Sequence, residues 1–479
     1  MNGNKRVYCI GIGGTGMGSL AGLLAESGFA VSGSDAKLYP PMSDYLAAWK
    51  IPVHEGYDAR HVQEARPDLV VIGNVIRADN PEARAALDAD FAVRSFSDAL
   101  FELAIAGKHS IVVAGTHGKT TTTSLVAVLL DEAGLDPAFL IGGIASNFDS
   151  SFHNGKGPHF VVEGDEYDTA FFDKTPKFLH YGAQTLVITS VEFDHADIYR
   201  DLAHVKSAFR ELVARMPADG RIVAAVGQLG VREVVADAPC PVLGYGVLDA
   251  DVDGGAEFAL TATQLEVSEG GTAFEFWRRG RSAGRARVSL CGRHNVENAL
   301  AALLVAELCG VSEEVALRGL AAFRGVKRRQ EIRGTLRGIT VIDDFAHHPT
   351  AVRETLLGLR TRYPERRLLV AFEPRTNTSR RKIFQKDYAD TFAAADNVAI
   401  CEVADTPIYS ATGEVTERFS AEELARDLRA RGKAAVALPD ADAIAVHLLA
   451  VCSPGDVIVV MSNGSFGNLC EKLLMGLRK

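Results

Sequence analysis

Two glycine-rich segments have the residue types and spacing that bind phosphate groups. The first is a GxGxxG motif that follows the apolar run Val7–Ile10 and precedes a helical pattern. Glycines there allow the backbone to approach a diphosphate, and the N-terminus of the following helix supplies amide donors. Asp35 ends the next predicted strand, where it could meet a ribose or a base. The residues of this loop predicted to bind a nucleotide-linked substrate are Gly11, Gly13, Gly14, Thr15 and Gly16.

The second segment again lies between an apolar run and a helical pattern. It has the GK[ST] end of a P-loop without the full spacing, because Val113 stands where the first glycine would fall. Lys119 is predicted to contact the β- and γ-phosphates of ATP, and the Thr120 hydroxyl to bind Mg²⁺. The predicted ATP-binding residues are Gly115, Thr116, His117, Gly118, Lys119, Thr120 and Thr121.

Two acidic strand ends follow the second loop. Glu163 ends the apolar run FVV, where a second oxygen ligand for Mg²⁺ is needed beside a P-loop. The segment EFDHAD follows another predicted strand and contains His195, which could be a metal ligand or a helix-capping histidine. The sequence leaves these two roles of His195 open.

The two loops together indicate one domain that holds a nucleotide-linked substrate and another that hydrolyses ATP. An NAD-dependent oxidoreductase would use Gly11–Gly16 and Asp35, but it gives no role to the second loop or to Glu163. A non-catalytic sensor of a nucleotide sugar is the third alternative. The intact set of Lys119, Thr120 and Glu163 argues against it.

Short β-branched runs alternate with longer helical patterns along the 479 residues, which predicts an α/β protein with mostly parallel sheets. At about 150 residues per domain, this length predicts about three domains. Breaks near Gly107 and Val326 divide the chain into 1–107, 108–326 and 327–479. The predicted strands are Val7–Ile10, Leu69–Ile72, Ile111–Val113, Phe160–Val162, Leu186–Thr189, Thr340–Ile342, Leu368–Phe372 and Val457–Val460. The predicted helices are Gly18–Glu26, Thr120–Glu132, Leu202–Met216, Val296–Leu308 and Ala351–Leu359.

Composition limits the partners. The net charge of −10 argues against nucleic acid or an anionic membrane face as the main ligand. No apolar run reaches the roughly 18 residues of a membrane-spanning helix. Seven scattered cysteines without a CxxC pair indicate a reducing, cytoplasmic environment. Whether the protein is a monomer or a dimer stays open.

Five motifs in order resemble the Mur ligase family, the ATP-dependent amide ligases of peptidoglycan assembly. They are GTHGKTTTT, VVEGDE, EFDHAD, GRHNVENALAA and VIDDFAHHPT. The resemblance covers essentially the whole chain. It implies a Rossmann-like N-terminal domain for a UDP-sugar, a central P-loop ATPase domain with a mostly parallel sheet, and a Rossmann-like C-terminal domain that brings the amino substrate.

The resemblance also assigns roles. Lys119, Asn295, Arg329 and His195 would be the catalytic residues. The base that takes the amine proton would lie near His195 or His347, and the choice between these two positions stays open. Two Mg²⁺ ions would be held by Thr120, Glu163 and His195. Some members carry a carbamylated lysine where Phe209 stands here, and Lys206 is expected to lie at the surface. The further ATP-binding residues implied are His294, Asn295, Asn298, Arg329 and Asp344.

The loop GIGGTGM resembles the branch that takes UDP-N-acetylmuramate, whose members add either L-alanine or a recycled tripeptide, L-Ala-γ-D-Glu-meso-diaminopimelate. The segments GNVIRADNP, DEYDTAFFDKTPKFLHY, FEPRTNTSRR and MSNGSFG resemble the tripeptide enzymes. Arginine side chains are suited to binding the carboxylates of a peptide. Each arginine of the segment FEPRTNTSRR could instead belong to a solvated basic loop. The further substrate-binding residues expected are Asn74, Arg375, Arg380 and Arg381.

Overall fold

The structure, a computed structural model, describes residues 5–40, 42–89, 91–248 and 258–479. Its strands are β1 Arg6–Ile10, β2 Ala30–Asp35, β3 Val53–Glu55, β4 Leu69–Ile72, β5 Val93–Ser95, β6 His109–Ala114, β7 Ala138–Ala145, β8 Ser150–His153, β9 His159–Gly164, β10 Asp168–Ala170, β11 Asp173–Pro176, β12 Thr185–Ile188, β13 Arg221–Ala224, β14 Val242–Val247, β15 Leu260–Ser268, β16 Gly271–Arg278, β17 Arg281–Val288, β18 Glu331–Leu336, β19 Ile339–Asp344, β20 Leu368–Phe372, β21 Asn397–Cys401, β22 Ala434–Leu438 and β23 Val457–Met461.

The α-helices connect these strands. They are α1 Thr15–Glu26, α2 Met42–Ala48, α3 Ala59–Ala65, α4 Pro81–Asp88, α5 Phe96–Leu100, α6 Lys119–Glu132, α7 Leu202–Ala214, α8 Leu229–Val235, α9 Arg293–Leu308, α10 Glu313–Ala322, α11 Pro349–Arg362, α12 Gln385–Thr391, α13 Ala421–Ala430, α14 Ala441–Val451 and α15 Leu469–Arg478. Among the described residues, no helix combines the length and the apolar character needed to cross a membrane.

Contacts divide the chain into two compact units. The first comprises Met1–Val191, Lys206–Tyr245 and Ala301–Gly319, and the second comprises Glu192–Val205, Gly246–Leu300 and Leu320–Lys479. The predicted boundaries at 107/108 and 326/327 remain predictions, whereas the three-domain α/β fold is confirmed.

In the first unit, an N-terminal sheet of five parallel strands has the order β3-β2-β1-β4-β5. Its central strand β1 is apolar on both faces, as expected for a parallel strand covered by helices. A second sheet places β6 between β12 and β9, all parallel. Both glycine loops therefore leave the carboxyl ends of central strands, which is where ligands bind in open α/β sheets.

The second unit contains a six-stranded sheet with the order β18-β19-β23-β20-β21-β22, parallel except for β18. It also contains an antiparallel meander, β15 to β17, that the sequence analysis missed. The exposed arginines of β17 interrupt the apolar pattern that identified the other strands. The predicted elements are present, with ends that differ by a few residues.

Candidate active site

The first glycine loop is held open at the end of β1. Gly11 has a φ of +85°, and the amides of Gly11 and Ile12 both donate to the Ser34 carbonyl. Gly14 is the N-cap of α1 without any side-chain capping bond, and Gly14, Thr15 and Gly16 are exposed. Asn74 is exposed in the loop after the neighbouring strand β4. The loop thus presents a helix N-terminus suited to an anion.

Asp35 shapes this loop from the adjacent strand. Its Oδ2 accepts a hydrogen bond of 2.8 Å from the Gly13 amide, and a Cβ on Gly13 would lie 2.9 Å from the same oxygen. Glycine at position 13 therefore lets the loop approach the Asp35 carboxylate closely. The ribose or base contact predicted for Asp35 remains a proposal, and its carboxylate already positions the loop.

The second glycine loop is built against the end of β12. Gly115 has a φ of +138°, and a Cβ there would lie 2.1 Å from the Thr189 hydroxyl. The Thr116 amide donates to the Ser190 carbonyl, and the His117 amide donates to Ser190 Oγ at 2.8 Å. Gly118, with a φ of +83°, leads into α6. The loop conformation is therefore fixed by backbone contacts that only glycine permits at its first position.

Lys119 lies in the first turn of α6 and turns back over the loop. Its Nζ donates to the Gly115 carbonyl at 2.7 Å and to Glu166 Oε2 at 2.8 Å. Burial alone lowers the pKa of Lys119, but the carboxylates of Glu166 and Asp165 outweigh it and raise that pKa above its ordinary value. Lys119 is therefore a permanent cation at this loop. Glu166, which the sequence analysis did not single out, holds it in place.

Thr120 and Glu163 form a pair of oxygen donors beside Lys119. The register of β6 and β9 places Glu163 opposite Val113, just before the loop. Thr120 Oγ1 donates to Glu163 Oε2 at 3.2 Å, and the Gly142 amide donates to Oε1 at 2.6 Å. A hydroxyl and a carboxylate are the ligands that Mg²⁺ takes in proteins, so the donor set fits that ion.

Phe209 is fully buried in α7, with its ring centroid 5.3 Å from that of Phe178. Lys206, one turn earlier, was expected at the surface, but its side chain is only 16 % exposed and pairs with Glu233 at 2.6 Å. The position that the motif resemblance equates with a carbamylated lysine is thus part of an apolar core.

In the second unit, the start of α9 holds the predicted nucleotide residues. Asn295 Nδ2 donates to the Cys291 carbonyl at 2.8 Å, and its Oδ1 accepts from Asn298 Nδ2 at 3.2 Å. Both asparagines are buried, and His294 precedes them. Gly292, with a φ of +101°, makes the turn into the helix. The two amides are therefore oriented before any ligand binds.

Gln330 connects that turn to Asp344. Its side-chain amide exchanges two hydrogen bonds with the backbone of Cys291. Its backbone amide donates to Asp344 Oδ2 at 2.8 Å. Burial raises the pKa of Asp344 above its ordinary value. The Ala346 amide and the Arg329 guanidinium lower this pKa, but burial has the larger effect. Arg329 lies 4.5 Å from the ring centroid of Phe345. Sequence reasoning missed Gln330, although it directly follows the Arg328-Arg329 pair.

A group of histidines surrounds Asp194, which is also buried. Asp194 Oδ1 accepts from the His195 amide at 2.7 Å, and Oδ2 lies 3.8 Å from His347 Nε2. Burial alone would raise the pKa of Asp194, but His195, His347 and His348 together lower it well below its usual range. His195 has a φ of +55°. His347 Nδ1 lies 3.1 Å from the Phe345 carbonyl, so a backbone hydrogen bond orients this imidazole beside the Asp194 carboxylate.

His348 is the N-cap of α11, where its Nδ1 accepts from the Thr350 amide at 3.3 Å. Its Nε2 lies 3.2 Å from the Phe193 carbonyl. His348 therefore positions the segment that carries Asp194.

β20 and β23 are neighbouring parallel strands, and the chain leaves their carboxyl ends toward opposite faces of the six-stranded sheet, which predicts a crevice between the two loops. The helices that follow β20 pack on one face of the sheet, and α15, which follows β23, packs on the other. Loops that diverge in this way open the binding crevice of such sheets. Arg375, after β20, is exposed, and its guanidinium occupies the space beside Gly464 where a Cβ would be.

Asn463 lies in the same crevice. Its Oδ1 is buried and has no hydrogen-bond partner among the described residues. Glu373 accepts a hydrogen bond from the Ser462 hydroxyl, and Arg375 has no ion-pair partner in the described part of the chain. The crevice thus offers a free cation and a free acceptor. Asn463 belongs to the MSNGSFG segment, so its signal was present in the sequence, but the residue was not chosen.

Arg380 and Arg381 lie differently from Arg375. Arg380 is 8 % exposed, and its Nη2 donates to the Thr406 side chain at 2.8 Å and to backbone carbonyls of the same loop. Arg381 Nη1 donates to the Ala196 carbonyl at 3.3 Å. Burial lowers the pKa of both guanidinium groups. These contacts favour a structural role, and their peptide-binding role remains a proposal.

Three family models match the chain in order. The Mur ligase family catalytic domain matches residues 6–108, the Mur ligase middle domain 113–306, and the Mur ligase glutamate ligase domain 328–464. Together they cover most of the chain.

Curated relatives include two enzymes named UDP-N-acetylmuramate–L-alanyl-γ-D-glutamyl-meso-2,6-diaminoheptandioate ligase. The one from Escherichia coli K12 is 38% identical over 99% of this chain and 98% of its own, and the one from Haemophilus influenzae is 34% identical over 99% of both. A UDP-N-acetylmuramate–L-alanine ligase from Acidithiobacillus ferrooxidans is 36% identical over 98% of this chain and 97% of its own.

Among solved structures, a murein peptide ligase from Psychrobacter arcticus is 33% identical with a TM-score of 0.72, covering 99% of this chain and 98% of its own. A Thermotoga maritima UDP-N-acetylmuramate–alanine ligase has a TM-score of 0.79 at 24% identity, covers 99% of both chains and supports the fold alone. The chain belongs to the Mur ligase family, whose members use ATP to form amide bonds.

Proposed function

We propose that this ligase joins the lactyl carboxylate of UDP-N-acetylmuramate to the tripeptide L-Ala-γ-D-Glu-meso-diaminopimelate. The observation that carries the proposal is the crevice with the exposed Arg375 guanidinium and the unpartnered Asn463 Oδ1. The tripeptide carries several carboxylates and a distal ammonium group, which match a cation and an acceptor. Free alanine has no charged group beyond its own ammonium and carboxylate.

An amine cannot displace an oxygen atom from a free carboxylate, because that oxygen is a poor leaving group. The reaction therefore needs a phosphorylated intermediate. The carboxylate oxygen attacks the γ-phosphorus of ATP, and ADP leaves with the electrons of the broken P–O bond. The alanyl amine of the peptide then attacks the carbonyl carbon of the acyl phosphate, loses a proton, and phosphate departs. Each step transfers negative charge onto phosphate oxygens, which cations in a dry site stabilise.

Lys119 would bind those phosphate oxygens, because its ammonium group is already fixed over the loop. Thr120 and Glu163 would hold one Mg²⁺, and His195 would serve a second. Bound Mg²⁺ supplies positive charge to the phosphates. Arg329 and Asp344 would contact the nucleotide, and Asn295 and Asn298 would orient it. A base near His195 or His347, both of which lie beside Asp194, would take the amine proton.

The test compares phosphate release from ATP with UDP-N-acetylmuramate and either the tripeptide or L-alanine as the amine. We expect a kcat/KM for the tripeptide at least a hundredfold above that for L-alanine. Turnover with L-alanine alone would contradict the proposal and favour the alternative supported by the 36% identity to an L-alanine ligase. An Arg375→Ala variant should raise the KM for the tripeptide while leaving the KM for ATP unchanged.

A further inference from the structure

A hairpin after β9 is attached to the N-terminal sheet. Strands β10 and β11 pair antiparallel, and Phe171 at their turn packs against the hydrophobic core formed by Tyr8, Ile10 and their neighbours. Beyond the hairpin, His180 lies 2.9 Å from Asp98 of α5. The hairpin and the N-terminal sheet belong to the same compact unit, so these contacts fix the hairpin beside that sheet.

Lys177 directly follows β11 and points between two aromatic rings. Its Nζ lies 5.5 Å from the ring centroid of Phe96 and 5.8 Å from that of Tyr167. Its amide donates to the Tyr167 carbonyl at 2.9 Å, which fixes the base of the side chain. Both rings attract the ammonium through their π-faces. A π-face offers no lone pair to the three N–H groups of the ammonium.

The Phe96 ring is also in contact with the first glycine loop. A Cβ on Gly16 would lie 3.8 Å from both Cε2 and Cζ of that ring. Gly16 and the Lys177 ammonium therefore adjoin the same buried side chain. Gly16 is in the exposed first turn of α1, the predicted diphosphate site.

The basic side chains near Lys177 lie beside carboxylates. Lys174 Nζ lies 3.1 Å from Asp168 Oδ2, and His180 lies between Asp98 and Asp173. Within the residues that the structure describes, Lys177 has neither a carboxylate within 4.0 Å nor an acceptor for its ammonium group. A half-buried cation without an anion beside an anion-binding loop indicates that the ligand supplies the anion.

We infer that Lys177 binds the diphosphate of the UDP-sugar that the first glycine loop holds. The inference rests on the proposed function, because it takes UDP-N-acetylmuramate as the ligand. Loop amides at a helix N-terminus bind phosphate oxygens, and a lysine adds a compact point charge to them. Because Lys177 lies outside the glycine motif, spacing in the sequence does not reveal it.

The experiment is calorimetric titration of the full chain with UDP-N-acetylmuramate and, separately, with UDP, without ATP. Lys177→Met keeps the apolar stem between the rings and removes only the charge, whereas Lys177→Arg keeps the charge. Lys174→Met is the matched control, since that lysine lies on the same hairpin and is already paired. Thermal unfolding of each variant verifies that it is folded.

We expect Lys177→Met to weaken binding of both UDP-N-acetylmuramate and UDP by about tenfold or more, as for a lost charge-assisted hydrogen bond. Lys177→Arg should stay within about threefold of the wild type, and Lys174→Met should not change the affinity. Wild-type affinity in folded Lys177→Met would overturn the inference. Weaker binding of UDP-N-acetylmuramate with unchanged binding of UDP would overturn the diphosphate assignment. If the wild type binds neither ligand, the proposed function itself fails.

Discussion

The Nζ of Lys119 lies 2.8 Å from the Oε2 of Glu166, whose side chain is only 2 % exposed. Lys119→Ala should abolish ATP-dependent ligation, and it should also destabilise the protein because the Glu166 carboxylate stays buried without its cation. Breaking a buried pair from one side costs about 3 kcal/mol or more. Chemical denaturation and phosphate release measure the two effects separately.

The double variant Lys119→Ala/Glu166→Gln separates charge from chemistry. It removes the uncompensated carboxylate, so it should regain most of the stability lost in Lys119→Ala while remaining inactive. A double variant as unstable as the single one would mean that Lys119 stabilises the loop through packing and its bond to Gly115, not through the ion pair.

Glu163→Gln should raise the Mg²⁺ concentration needed for half-maximal activity. The amide keeps the volume and still accepts from the Gly142 amide, but it brings no negative charge to the ion. We expect a shift of about tenfold or more, measured by titrating MgCl₂ at constant ATP. Glu132→Gln, at the far end of the same helix as Thr120, is the control. An unchanged Mg²⁺ requirement would remove Glu163 from the metal site.

Gly464→Ala should impair peptide binding through Arg375. A Cβ at this position would lie 1.2 Å from Arg375 Nη1 and 2.2 Å from its Cζ. The guanidinium is exposed and can move, so the free energy of unfolding should change by less than about 0.5 kcal/mol. Steady-state kinetics should show a raised KM for the tripeptide, with the KM values for ATP and UDP-N-acetylmuramate unchanged. A wild-type KM for the tripeptide would show that the position of Arg375 does not matter.

The two glycine loops were predictable from the sequence, because the residues that shape each loop are close together in the chain. Gly11, Gly115 and Gly118 each have the positive φ that explains the glycine. Glu163 was predictable because it ends an apolar strand, and the parallel register with β6 then places it beside Thr120. Local pattern and strand order agree in these cases.

Partners that depend on long-range contacts were not predictable in the same way. Glu166 lies only three residues beyond Glu163, yet nothing in its spacing indicates that it pairs with Lys119. Arg380 and Arg375 look equivalent in the sequence, but only Arg380 is buried against backbone carbonyls. Whether a charged side chain is buried and which group it pairs with depend on tertiary contacts. The spacing of residue types along a single sequence does not reveal these contacts.

Glu297, on α9 beside the paired asparagines, should make stability depend on pH. Burial raises the pKa of its carboxyl from 4.5 to about 7, with Glu354 adding to the rise and Arg293 opposing it. Because the folded-state pKa is the higher one, this contribution to stability is complete below pH 4.5 and is lost as the pH rises through about 7. The shift corresponds to at most about 3 kcal/mol. The glutamine side chain of Glu297→Gln is neutral at every pH, so the melting temperature of this variant relative to that of the wild type should rise between pH 5.5 and 8.5.

Glu307→Gln is the control, because Glu307 is exposed on the same helix, and its melting temperature relative to the wild type should not change with pH. If the difference in melting temperature between Glu297→Gln and the wild type were also independent of pH, Glu297 would be ionised throughout this range.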